Sequence, residues 1–355
     1  MVETDLKDVF ISGSVSKTTS MKSSKTVPDF RYQYLSHCDI NTYLDTLQAK
    51  YPHLVKIKTI GYSFERRALK SIHISTSMMT KVNELEPVNK KAKSTLNGIN
   101  RSKSALKRKQ VVLIDGGMHA REWCTISTAL HCASQLTDNF DENKNLLEIF
   151  DFVIVPCVNI DGYEFSRCYK KMWRKSRRPI EFSKFIGVDF NRNFSVGWET
   201  ASQKTSSCTY RGEKPFSEPE TRIIKRLMHS LKPTFYLTLH SFSKSIMFPY
   251  AFTSMLPYNW MSLHSLAKAA GQAIQKETGT KFRIGSVASI IKNAKASGGG
   301  SVDYAHKTAK IPFVIVMELS GGSFQPPAIA INGVLLESWI GIHAMCSFLK
   351  NRNKI

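Results

Sequence analysis

Apolar and polar positions along this chain switch between a helical period and a strand period. Between residues 39 and 49, Ile40, Tyr43, Leu44 and Leu47 recur at helical spacing behind Asp39, which predicts a helix with Asp39 as its N-cap. Strand-like runs follow at about 55–60 and 71–75. Beyond residue 110 the alternation becomes regular. Strand-like runs at 111–115, 152–158, 234–239 and 313–317 are separated by helical stretches at about 121–136, 218–231 and 259–276, and a last helix covers about 333–350. This order predicts an α/β sheet covered by helices on both faces. Ligands of such sheets sit outside strand ends, where the strand order reverses.

Two stretches break the pattern. Residues 1–28 are rich in Ser, Thr and Lys without sustained periodicity and read as a flexible N-terminal segment. Residues 77–109 carry Lys81, Lys90, Lys91, Lys93, Arg101, Lys103, Lys107, Arg108 and Lys109 against only Glu84 and Glu86. They read as a basic, solvated surface insertion, with a docking patch for an acidic partner as the alternative. The remainder, 29–352, reads as one large domain. A net charge of +22 and a pI near 9.7 ordinarily point to nucleic acid or acidic membranes. Here the excess is concentrated in a few stretches. No zinc finger, stacking aromatic series or recognition helix accompanies it, so no nucleic-acid partner is expected.

The seven cysteines, Cys38, Cys124, Cys132, Cys157, Cys168, Cys208 and Cys346, are too scattered for a disulfide scaffold, and no Cys-x-x-Cys pair suggests a thiolate metal site. No apolar run approaches the roughly 20 residues of a membrane span. The first residues lack the basic start and apolar stretch of a signal peptide.

Candidate chemistry lies at the ends of the apolar runs. His119 and Glu122 stand three residues apart just beyond the run at 111–115, a spacing that lets both side chains leave one turn and meet at one ion. His240 closes the run at 234–239, and Glu318 closes the one at 313–317. A carboxylate ending a buried strand is expensive unless it faces a cation or acts as a base. All three strand ends could share one sheet edge.

Together with several further motifs in the right order, these residues make the chain resemble the zinc metallocarboxypeptidases of the pancreatic A/B type, from about Phe30 to the C-terminus. The resemblance implies a single α/β domain with a mixed, mostly parallel twisted central sheet flanked by helices. It implies one zinc ion per chain held by His119, Glu122 and His240, the two-His, one-Glu set for which carboxypeptidase A is a well-known example. Met172-Trp173-Arg174-Lys175 resembles the segment whose arginine polarises the scissile carbonyl, here Arg174. The run from Gly187 to Phe194 resembles the one that grips the substrate's terminal carboxylate, through Asn191 and Arg192. Arg121 corresponds to a further substrate-binding arginine and Glu318 to the general base. Asn159-Ile160-Asp161-Gly162-Tyr163 matches a structural turn. Val302 and Met247, with Ala251, Ile290 and Val316, would line the specificity pocket. Their apolar or small character implies a preference for aliphatic or aromatic C-terminal residues. Peptide and protein C-termini are the expected partners, and a secreted monomer without a membrane span is the expected form.

The chain also departs from the family. The active-site tyrosine is replaced by Lys295, Phe242 stands where a tyrosine is usual, and the disulfide partner expected for Cys208 falls near Phe185. The residues ahead of the resemblance do not match the family's inhibitory prodomain. A catalytically impaired zinc- and peptide-binding protein is therefore the alternative expectation.

Overall fold

The computed structural model describes residues 28–77, 109–291 and 298–352. The expected N-terminal segment (but for its last residue), all of the basic insertion except its end residues, and Lys295 lie outside the described residues. The chain opens with α1 (His37–Lys50), which starts two residues before Asp39. Ser36 is the N-cap: its hydroxyl accepts from Asp39 N at 3.1 Å while the Asp39 carboxylate accepts from Ser36 N at 3.2 Å. Asp39 is thus the returning arm of a capping box and not the cap itself.

Strands β1 (Val55–Tyr62), β2 (Ala68–Ile74) and β3 (Gln110–Asp115) lead into α2 (Trp123–Asp138), α3 (Phe140–Leu147), β4 (Phe150–Val155) and α4 (Ile160–Cys168). After a long irregular stretch come α5 (Pro219–Leu231), β5 (Phe235–Ser241) and β6 (Ser245–Phe248). The chain ends with α6 (Trp260–Thr278), β7 (Arg283–Ser286), the short α7 (Val287–Ile290), α8 (Ser301–Lys307), β8 (Phe313–Leu319) and α9 (Ala328–Arg352). The eight strands form one mixed sheet in the order β1-β2-β4-β3-β5-β8-β6-β7. Strands β4, β3, β5 and β8 run parallel to their neighbours in this group, while β1, β2 and β6 introduce the antiparallel pairings.

The parallel centre is apolar because it is covered twice. Every residue of β5 is buried. On one face Ile114, Leu237, Ile315 and Met317 join a core with residues of α2, α6 and α9, while on the other Leu113, Tyr236, Val314 and Val316 pack with residues of α5 and α8. Helix α9 is long and apolar enough to cross a membrane by length and composition. Its Ile331, Val334, Leu335, Ile342, Met345 and Leu349 are instead buried in the core, so it is a central packing helix.

From β3 the chain moves outward on one side to β4, whereas β5 lies on the other side of β3. The gap between β3 and β5 is therefore the point where strand order reverses. Asp115, Thr238 and Val316 are neighbours across β3, β5 and β8, and His240 and Glu318 are neighbours two residues further along.

Candidate active site

The segment after β3 bends back over the sheet edge. Ala120 N donates to Arg174 O at 3.1 Å, and Ser166 of α4 donates to Ala120 O at 2.9 Å, fixing the turn from both sides. Asn159 caps α4 by accepting from Gly162 N at 3.0 Å, and its amide donates to Lys175 O at 3.1 Å. The expected structural turn is thus a helix cap that also holds the Arg174 segment in place.

The result is a close convergence of His119, Glu122 and His240, all buried. His119 Nδ1 lies 2.7 Å from Glu122 Oε1, His240 Nδ1 lies 3.0 Å from Glu122 Oε2, and the two Nδ1 atoms are 3.1 Å apart. Burial alone would raise the Glu122 carboxyl, but the two imidazoles beside it hold it well below the ordinary range. His119 is nevertheless pushed down, because burial and the nearby Arg174 outweigh Glu122. Two imidazole nitrogens and an ionised carboxylate at one buried point form a donor set suited to zinc, with room for a further ligand on the cavity side.

Each imidazole faces a polar group on its far side. His119 Nε2 lies 3.2 Å from Asp189 Oδ1, and Asp189 Oδ2 accepts from Arg174 Nε at 3.0 Å and pairs with its Nη2 at 2.9 Å. Burial would raise Asp189, yet Arg174 and His119 hold its carboxyl well down, so one buried acid orients a metal-binding imidazole and a guanidinium together. His240 Nε2 lies 3.3 Å from the Thr238 hydroxyl, which donates to Asp115 Oδ1 at 2.8 Å. Asp115 also accepts from the Tyr236 hydroxyl at 2.6 Å. Asn191 Nδ2 stands 3.5 Å from the same His240 nitrogen, at the limit of a hydrogen bond. Asp189, Asp115 and Thr238, which stand directly behind the cluster, were not singled out from the sequence. An acid between the apolar Val188 and Phe190, and another closing a buried strand, were the available signals.

A cavity of about 280 Å³ opens beside this cluster. Its polar lining, the polar wall, comes from Arg121, Arg174, Asn191, Arg192 and Glu318; its apolar lining, the apolar wall, comes from Met247, Ala251, Val287, Ile291, Val302 and Val316. All the expected site residues in the described part thus border a single space, with one exception. Ile290 packs behind the wall, and Ile291 with Val287 takes its place. Phe242 and Phe324 complete the mouth with their rings 5.0 Å apart, and Arg121 lies 4.1 Å over Phe324. Phe324, in an aperiodic loop, gave no sequence signal.

Asn191 is anchored by Ser301 N, which donates to its Oδ1 at 2.9 Å. Arg192 Nη1 donates to Asn191 O at 2.7 Å, and among the described residues its buried Nε has no hydrogen-bond partner, nor has the Nε of Arg121. Gly299 makes this docking feasible: at φ 76° it donates to Val196 O at 2.8 Å and accepts from Phe194 N at 2.9 Å, and a Cβ there would strike Arg192 O. The Glu318 carboxyl is pushed up to about 7 by burial and by Glu122, against the pull of His240 and Arg174. A carboxylate poised near neutrality beside a metal site suits proton transfer.

These features have counterparts in known proteins. The sequence model of the zinc carboxypeptidases matches residues 40–341. The chain is 30% identical over 326 residues to carboxypeptidase B of Astacus astacus, spanning 90% of this chain and 97% of that one. It is 27% identical to the inactive metallocarboxypeptidase ECM14 of Saccharomyces cerevisiae, over 90% of this chain and 73% of that one. The crystal structure of carboxypeptidase A from Helicoverpa armigera matches it with a TM-score of 0.80 at 27% identity, covering 94% of this chain and 78% of that chain. The chain belongs to the zinc carboxypeptidase family. It is thus a peptide hydrolase of the A/B-like type with zinc as its cofactor, and His119, Glu122 and His240 form a cluster able to bind that metal.

Proposed function

We propose that this protein is an active exopeptidase that removes aliphatic or aromatic C-terminal residues from peptides and proteins. The observation that carries the proposal is the cavity's pairing of a metal-ligand cluster with three arginines, two of which keep a buried Nε unpaired among the described residues. An unpaired buried donor is costly, and a substrate carboxylate entering the cavity would satisfy it. Asn191 and Arg192 are the residues assigned to that carboxylate, with Arg121 as a further contact along the substrate. Met247 and Val302, with Ala251 and Val316, would receive the terminal side chain. No charge stands among them to favour a basic one.

His119, Glu122 and His240 would hold one zinc ion, which when bound supplies a Lewis acid that brings its water's pKa towards about 7. Glu318 accepts the proton released as water attacks the scissile carbonyl and passes it to the departing amine. Arg174, pinned by Asp189, donates to the oxygen on which negative charge develops. The same reading makes the protein an extracellular monomer acting on chain ends.

A second reading, peptide binding without efficient turnover, is favoured by Lys295 at the tyrosine position: an ammonium on a flexible stem does not reproduce a phenol's geometry. Hydrolysis assays on peptides ending in Phe, Leu or Lys, with and without a zinc chelator, separate the two. The proposal expects release of C-terminal Phe and Leu well above Lys, abolished by the chelator and restored by zinc. Stoichiometric zinc without hydrolysis of any of the three would leave the binding reading standing.

A further inference from the structure

From residue 221 to the C-terminus the chain holds sixteen lysines and arginines against four acids, and none of the acids lies between Thr221 and Lys276. Of the four, Asp303 and Glu337 are buried and Glu318 faces the catalytic cavity. The remaining one, Glu277, pairs with Lys276 at 3.3 Å near the C-terminal end of α6, on the order of 26 Å along the helix from Trp260 at the helix rise per residue. The exposed charge that residues 221–355 contribute is therefore almost wholly basic.

Within that surface one segment is also apolar. Met255, Leu256, Tyr258, Trp260 and Met261 are 74%, 46%, 86%, 39% and 65% exposed, five large apolar side chains within seven residues. Scattered exposed apolar residues need no explanation, but a continuous group does. The segment is not loose. Asn259 donates to Pro312 O at 2.7 Å and accepts from His306, Tyr258 packs 5.7 Å from the His306 ring, and Met255 N is held by Thr253 at 3.2 Å. Cations border it: Lys307 lies 4.6 Å over the Phe252 ring, and the nearby Lys310 adds to burial in holding the His306 imidazole down. On the other side Gly197 abuts Phe252 and brings the exposed Glu199 to the margin.

We propose that residues 255–261, with Lys307 and Lys310, form a docking face for anionic lipid bilayers. The charge favours this occupant: a bilayer rich in acidic headgroups complements a surface with almost no acid of its own. The side chains favour it as well. Methionine and leucine enter the acyl boundary, while tyrosine and tryptophan settle at headgroup level. Ala251, four residues ahead of this segment in the chain, lines the cavity, so docking here would bring the site close to the membrane surface.

Co-sedimentation of the full chain with vesicles of phosphatidylcholine alone, or containing one third phosphatidylserine, tests the proposal. Binding is expected only to the second, weakening as salt rises. A Met255→Ser/Leu256→Ser/Met261→Ser variant should lose at least tenfold in partitioning and Lys307→Glu/Lys310→Glu a comparable amount. Both variants should keep the far-UV circular dichroism and the peptide hydrolysis of the parent. Three results would overturn the proposal: no binding to anionic vesicles, which would turn attention to a protein partner; equal binding to neutral vesicles; or unchanged binding of the serine variant, which would assign adsorption to charge elsewhere on the chain.

Discussion

The two walls of the cavity are built by opposite means. On the polar wall the proposed catalytic side chains are backed by contacts reaching a layer deeper: Asp189 accepts from Arg174 and lies 3.2 Å from His119, and Thr238 joins His240 to Asp115. The apolar wall has no such network. Met247, Val302 and Val316 are placed by packing within the core that continues behind them. The difference teaches that reaction chemistry here depends on angles held by charge and hydrogen bonds. Preference among substrates depends on volume and the absence of charge. The first should fail steeply when one atom changes, and the second should shift gradually.

Glu318→Gln sharpens this contrast most. It keeps shape and removes the proton acceptor, so kcat should fall by about 10²–10⁴-fold while zinc content is unchanged. In the parent, Glu318 must be ionised to accept a proton. With its carboxyl raised to about 7, kcat/KM should climb as pH rises through that value and fall below it. A pH–rate profile with no acid limb near 7 would separate Glu318 from catalysis.

On the apolar wall, Val302→Asp introduces a carboxylate beside the terminal side chain and should reverse the ratio of kcat/KM for Phe- and Lys-ending peptides, leaving zinc affinity alone. The preference is expected to move by about 10–100-fold, the scale of a few kcal/mol of pocket discrimination. A variant that loses both substrates equally would show that the wall supports the catalytic side and does not act separately from it.

The smallest effects should come from the deeper layer of the polar wall. Asp189→Asn and Thr238→Val leave every proposed ligand in place, and zinc affinity, measured by chelator competition, should drop by about 10–100-fold. Thr238→Ser should restore most of the loss, because only the hydroxyl is needed. Loss of zinc in Thr238→Val without rescue by Ser would assign its role to packing.

Much of this was legible in the sequence because the parallel strands are buried on both faces and end abruptly in polar residues. His240 and Glu318 stand out against Leu239 and Met317 for that reason. Elements whose pattern is too short to show a period were not legible: the eight residues of α3, the four residues each of β6 and β7, and the start of α9 at Ala328. The displacement of Ile290 by Ile291 has the same origin, since a four-residue helix that ends on an extended Ile291 decides which of two adjacent isoleucines faces the cavity. Nor does a sequence reveal that Asp189 serves two partners, because His119 and Arg174 meet it only after the chain has folded.

Among the described residues the Nε atoms of Arg121 and Arg192 stand unpaired beside the metal-ligand cluster, which suits them to read a free chain end. Two peptides ending in Phe, identical except that one has a C-terminal carboxylate and the other a carboxamide, test it most directly with the zinc-loaded protein. The account predicts that the acid is cleaved and the amide is not, with kcat/KM lower by at least about 10²-fold, the loss expected when a buried charge-assisted contact goes unmade. Equal cleavage of the two would contradict it.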